Sequence, residues 1–257
     1  MNKIQKHIYS VNFRHLMNGI NRWKKQISAS LLIFFLIPAL SLFGQLQPTG
    51  KIIEVKPDNG YGYVLHQPPE STSSKPLIIF LHGSGEKGDD LELVKVHGPL
   101  KYLKTNYLDA FVLAPQCPQN EYWQNEKLDM LIMKIISEYN IDMHSIHLTG
   151  LSMGAWGAWN YAVSKPEILA SLVPIAGFVD RIPMLEACKL KDTPVRIYHG
   201  LLDDVVDIFY SNEIYKRIRN CSQKVELTIF EDANHDSWTR VYNDPDIYSW
   251  MLGNRKN

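Results

Sequence analysis

Ser145-Ile146-His147-Leu148-Thr149-Gly150-Leu151-Ser152-Met153-Gly154 is the stretch that decides the reading of this chain. Ile146 and Leu148 fit a short buried strand. The apolar run that follows, Ala155 to Val163, is rich in Ala and Trp and predicts a helix. Between them, Gly150-Leu151-Ser152-Met153-Gly154 has the G-x-S-x-G spacing of a nucleophile elbow. A strand that turns sharply into a helix forces the serine into strained backbone, and the flanking glycines keep side chains out of the turn. The hydroxyl is then exposed at a helix N-terminus, where the Met153 N–H can face a developing oxyanion. Small residues also cluster in ordinary turns around idle serines. The strand–turn–helix setting and the partners below favour the catalytic reading.

Outward from the elbow, Leu77-Ile78-Ile79-Phe80-Leu81 and Ala110-Phe111-Val112-Leu113-Ala114 are continuous apolar runs, as expected of strands buried on both faces. Ile52–Val55 and Tyr61–Leu65, with a turn over 57–60, predict an opening hairpin. Leu128, Leu131, Ile132, Ile135, Ile136 and Tyr139 recur at three and four residues, so 126–139 is an amphipathic helix. Further strands are expected at Ser171–Ile175, Val195–Tyr198 and Val225–Phe230. Helices are expected over 208–219 and around 247–250. Strands alternating with helices imply an α/β fold, a mainly parallel sheet with helices on both faces and a site at the strand ends.

Three stretches beyond strand ends carry the remaining chemistry. His82-Gly83-Ser84-Gly85 follows the first core strand, and its glycines let a backbone N–H approach a substrate oxygen. Ser84 is the expected second oxyanion donor beside Met153. The spacing fits neither a Walker loop nor G-x-G-x-x-G, and His82 reads as a structural loop residue. His199-Gly200-Leu201-Leu202-Asp203-Asp204 presents an acid beyond a strand. Asn234-His235-Asp236-Ser237-Trp238 holds the only histidine after Asp203. The chain order Ser152, Asp203, His235 is that of an α/β-hydrolase triad, in which the histidine takes the serine proton and the carboxylate fixes its tautomer.

These stretches, with Ala-Pro-Gln-Cys-Pro from Ala114, resemble an exported single-domain α/β-hydrolase of the phospholipase/carboxylesterase and dienelactone-hydrolase-like group. The resemblance covers about residues 50–252 and favours Asp203 over Asp204 as the triad acid. It implies hydrolysis of carboxylic esters through an acyl-enzyme, without cofactor or metal. Two positions depart from the group's pattern. Ala155 stands where a second glycine usually follows the elbow, and Asp207 stands where a proline often follows the two valines. A serine peptidase of prolyl-oligopeptidase type, or a binding protein that keeps the fold, is the alternative. Trp123 and Trp238 are candidate pocket walls, Trp156 and Trp159 candidate core. The absence of a long insertion between Ile175 and Val195 suggests small or exposed acyl groups, on a small molecule or a polysaccharide.

Composition agrees. With 45% hydrophobic and 21% charged residues the chain is ordinary for a globular protein. Six of its 27 basic residues lie within residues 1–44, which hold no acid, leaving 21 basic against 27 acidic in the remainder. A negative domain without a basic stripe argues against nucleic-acid binding. Residues 1–44 have the layout of an export signal: a long basic region, the apolar core Leu31–Phe43 interrupted by Pro38, and Gly44 before the cut. The catalytic domain is then 45–257, periplasmic or secreted and without stable membrane insertion. An uncleaved anchor, or a start at Met17, is the alternative. Cys188 and Cys221 could pair, leaving Cys117 as a lone thiol.

Overall fold

The computed structural model of the protein describes residues 50–69 and 72–256. The expected export segment, residues 1–44, lies outside the described residues. In chain order the elements are β1 (Lys51–Val55), β2 (Gly62–Gln67), β3 (Lys75–Leu81), α1 (Gly98–Tyr102), β4 (Phe111–Gln116) and α2 (Asn125–Glu138). Next come β5 (Ile141–Leu151), α3 (Met153–Ser164), β6 (Ser171–Ile175), α4 (Arg181–Leu185), β7 (Val195–Gly200), α5 (Phe209–Arg219), β8 (Val225–Phe230), α6 (Trp238–Asn243) and α7 (Pro245–Gly253).

The strands form one eight-stranded sheet in the order β1-β2-β4-β3-β5-β6-β7-β8. The β1–β2 and β2–β4 pairs are antiparallel, and every pair from β4–β3 to β7–β8 is parallel. Parallel strands need crossovers, and those crossovers cover both faces with helices. One core packs Leu128, Trp159, Ile214 and their neighbours from α2, α3 and α5 against one face of the sheet. The other packs Leu100, Tyr242, Tyr248 and Met251 from α1, α6 and α7 against the opposite face. Double coverage explains why β4 and β6 are buried at every position and are mostly apolar without alternation.

Two features differ from the sequence expectation. β5 begins at Ile141, well before Ile146, because its pairing with β3 shifts register after Lys75 and leaves Met143 and His144 exposed. Those residues break the apolar pattern without ending the strand. The short helices α1, α4 and α6 are too brief for a hydrophobic repeat to announce them. Cys188 and Cys221 form a disulfide, and Cys117 is free and buried.

Candidate active site

Ser152 joins β5 to α3 with φ 51° and ψ −118°, a left-handed conformation that a serine adopts only under constraint. The constraint comes from both sides. Its N–H donates to the Ile175 carbonyl at 2.9 Å, and its carbonyl accepts the Trp156 N–H at 3.1 Å. Gly154 permits the turn, since a Cβ there would lie 1.9 Å from the Leu81 carbonyl oxygen. The elbow helix therefore starts in direct contact with the end of β3, which brings the Ser84 loop to Ser152. The extra methyl of Ala155 is accommodated because residue 177 is glycine; a Cβ there would meet the Ala155 Cβ at 2.4 Å.

The acid and the histidine arrive from β7 and β8. Gly200 lets these strand ends converge, since a Cβ there would lie 2.3 Å from the Asn234 carbonyl oxygen. The His235 Nδ1–H donates to Asp203 Oδ2 at 2.8 Å, and His235 Nε2 stands 2.9 Å from Ser152 Oγ. With its proton on Nδ1, the ring presents an acceptor to the serine hydroxyl. Asp203 Oδ1 accepts the Val205 and Val206 N–H groups, each at 2.9 Å. Burial pushes the Asp203 carboxyl up, but the hydrogen bonds from His235 and from the Val206 and Val205 amides outweigh it and hold it below the ordinary aspartate value. Asp204 is exposed, and Asp207 Oδ1 accepts the Phe209 N–H at 2.8 Å at the start of α5. That hydrogen bond is the physical role of the residue that replaces the group's usual proline.

On the other side of Ser152, exposed Ser84 opens a single turn of 3₁₀ helix, Ser84–Glu86. The preceding peptide is locked by a fully buried imidazole. The Cys117 N–H donates to His82 Nε2 at 2.9 Å, so the ring proton sits on Nδ1 and is donated to the Gly83 carbonyl at 2.6 Å. Burial, opposed by the Gly83 hydrogen bond, pushes His82 down to about 4, so the ring is neutral at ordinary pH. In a trans peptide the N–H points opposite to the C=O, and fixing the Gly83 carbonyl therefore fixes the direction of the Ser84 N–H. Met153 places its side chain in the core while its backbone begins α3.

The two candidate pocket tryptophans separate. Trp238 packs edge-on against His235, ring centroids 5.0 Å apart. Trp123 is 5% exposed, donates its Nε1–H to the His82 carbonyl at 3.3 Å and meets the His82 ring edge-on. It supports the Ser84 loop, its indole nitrogen satisfying a buried carbonyl. Trp159 is core, whereas Trp156 is only partly buried. Sequence reading missed His199 as a partner of Asp203; the four-residue spacing of the two was the available signal. Among the described residues no cluster of metal-ligating side chains occurs.

A doubly covered parallel sheet with a serine elbow after β5, an acid after β7 and a histidine after β8 is the α/β-hydrolase fold. Comparison agrees: the model of the phospholipase/carboxylesterase family matches residues 119–245. Acyl-protein thioesterase 1 of Candida albicans is 23% identical over 208 residues, 66% of this chain and 89% of that protein. The crystal structure of a thermostable esterase superposes with TM-score 0.69 at 28% identity, over 81% of this chain and 64% of that one. The chain thus spans less than two thirds of that esterase. An acylaminoacyl peptidase of Pyrococcus horikoshii shares the fold at TM-score 0.59 and 14% identity, over 81% of this chain and 42% of its own.

Proposed function

We propose that the protein is a serine hydrolase that cleaves carboxylic esters through an acyl-enzyme. The observation that carries this reading is the unbroken hydrogen-bond line from Ser152 Oγ through His235 to Asp203. Ser152 attacks the ester carbonyl carbon as its proton passes to His235 Nε2, and the carbonyl π pair moves onto oxygen. The Ser84 and Met153 N–H groups receive that oxyanion. When the C–O bond to the alcohol breaks, His235 returns the proton to the leaving oxygen. A water molecule, deprotonated by the same nitrogen, then releases the acid and restores Ser152. Asp203 stays ionised throughout and stabilises the imidazolium. No step in this scheme calls for a cofactor.

Steady-state hydrolysis of a series of p-nitrophenyl esters tests the reading, with short peptide anilides in parallel. Turnover confined to anilides would move the protein to the peptidase class.

Export is proposed with it, the leader being residues 1–44. The Cys188–Cys221 disulfide supports this, since such bonds persist in oxidising compartments. N-terminal sequencing of the protein recovered from the periplasm or medium should begin near Gln45; a start at Met1 or Met17 on a membrane-bound form would indicate an anchor.

A further inference from the structure

Beside the nucleophile, aromatic side chains form a continuous ladder that the triad does not use. Trp156 lies one turn along α3 from Ser152, its N–H donating to the Ser152 carbonyl. Its ring stacks on Phe178, with centroids 5.7 Å apart and planes at 19°. Phe178 in turn meets Tyr210 edge-on at 6.2 Å, and Tyr210 meets Phe209 at 5.8 Å. At the other end Tyr122 stands edge-on to Trp156 at 5.8 Å. The terminal rungs are open to solvent, Tyr122 at 62% and Phe209 at 57% exposure. The central rung is held in place: the Trp156 Nε1–H donates to Asp180 Oδ2 at 2.6 Å, and Asn160 donates to the same oxygen at 3.2 Å. Four separate segments, the β4–α2 loop, α3, the β6–α4 loop and α5, thus contribute rings to one surface.

The direction of the ester across the site follows from where the base stands. The leaving oxygen must come within reach of His235 Nε2 to be protonated. His235 packs against Trp238, which belongs to the face of the sheet carrying α1, α6 and α7. Trp156 and Tyr210 pack against the opposite face. With the alcohol directed to the Trp238 side, the remaining substituent of the carbonyl carbon points toward the ladder. The two sides also differ in chemistry. Near Trp238, among the described residues, Trp238 Nε1 and His97 Nδ1 are buried without a hydrogen-bond partner, while the ladder offers ring faces and edges.

We infer that the ladder Trp156–Phe178–Tyr210 is the acyl subsite and that it takes an aryl-bearing acyl group. A flexible alkyl chain gains only buried area there, whereas a ring also gains the edge-to-face and offset contacts that aromatic pairs prefer. This departs from the small acyl groups expected from the absence of an insertion, because the surface is supplied by side chains already on the core elements. The inference rests on the ester-hydrolase reading.

The experiment compares p-nitrophenyl esters of acetic, octanoic and 3-phenylpropionic acid on the wild-type protein and on Phe178→Ala, with Tyr210→Leu as an independent second variant. The expected result is a kcat/KM for the phenylpropionate at least tenfold above that for the acetate. Either variant should lose most of that preference while acetate turnover stays within about twofold. Phenyl acetate and ethyl acetate, which vary the alcohol instead, should keep their ratio in the variants. The assignment is overturned if acetate and phenylpropionate fall together, if octanoate shows the same Phe178-dependent gain, or if the loss follows the alcohol. Absence of turnover on every ester by wild-type protein whose Ser152 still reacts with a fluorophosphonate would instead remove the ester reading, and the acyl assignment with it.

Discussion

Asp203 Oδ2 lies 3.1 Å from His199 Nε2, and neither side chain is exposed to solvent. His199 Nε2 also stands 2.9 Å from the Val206 carbonyl, and its Nδ1 is 2.7 Å from Ser211 Oγ. Two acceptors face Nε2, so that nitrogen carries the proton and Nδ1 accepts from the serine hydroxyl. Asp203 is therefore gripped by two imidazoles and two backbone amides, and one oxygen is fixed toward His235. His199→Ala should lower both kcat and stability, the latter by about 1–3 kcal/mol, as a buried carboxylate loses a partner. Thermal melts and steady-state kinetics check this; wild-type values for both would show that His199 is a bystander.

Three neighbouring acids can be told apart by kinetics. Asp203→Asn should reduce kcat by roughly four orders of magnitude at retained fold. Asp207→Ala should cost on the order of 1 kcal/mol of stability by removing the acceptor at the start of α5, with kcat kept. Asp204→Asn should change neither. A large kcat loss in Asp204→Asn alone would displace the acid by one position.

How far the sequence carried depended on what kind of signal each residue leaves. Leu77–Leu81 and Phe111–Ala114 were legible as strands because burial on both faces erases alternation. Ser152 was legible because Gly150 and Gly154 permit a close approach that any side chain would block. The burial of Trp123 against the His82 carbonyl was not legible: a tryptophan between strand and helix looks the same whether it faces solvent or donates to a buried carbonyl. Phe178 and Tyr210 left no signal at all. They come from segments 32 residues apart in the numbering, and only the strand order β5-β6-β7 makes them neighbours.

Acid should destabilise the protein in a defined window. Burial pushes His82 and His147 each down to about 4 from the ordinary 6.5. Between those values the unfolded chain binds protons that the folded one refuses, so stability falls as pH drops, by at most roughly 1 kcal/mol per pH unit for each histidine. Asp203, whose folded value is depressed, contributes stability that persists above the ordinary aspartate range and is lost only below it. Burial lowers His66 as well, so the melting temperature should fall from pH 6.5 toward 4, and His147→Gln should flatten part of that slope. A melting temperature unchanged across this range would contradict the burial of both imidazoles.

The disulfide ties the 3₁₀ turn Ala187–Leu190 to the C-terminal end of α5 across 33 residues. Cys188→Ser should cost about 2–4 kcal/mol while ester turnover at 25 °C is retained, since the bridge lies away from the strand ends that carry Ser152, Asp203 and His235. An equal loss in reduced wild-type protein would confirm that the bond, and not the substitution, is responsible. A full loss of turnover at unchanged melting temperature would contradict it.

The central claim is that Ser152 is a nucleophile activated by His235. The most direct test is intact-mass analysis after exposure to a fluorophosphonate, performed on wild type, Ser152→Ala and His235→Ala, with p-nitrophenyl ester turnover measured on the same samples. One phosphonyl adduct on wild type, mapped to the peptide containing Ser152, is predicted. Ser152→Ala should carry no adduct, His235→Ala should react at least a thousandfold more slowly, and both should lose ester turnover while melting close to wild type. Stoichiometric labelling or near wild-type turnover in folded Ser152→Ala would contradict the account.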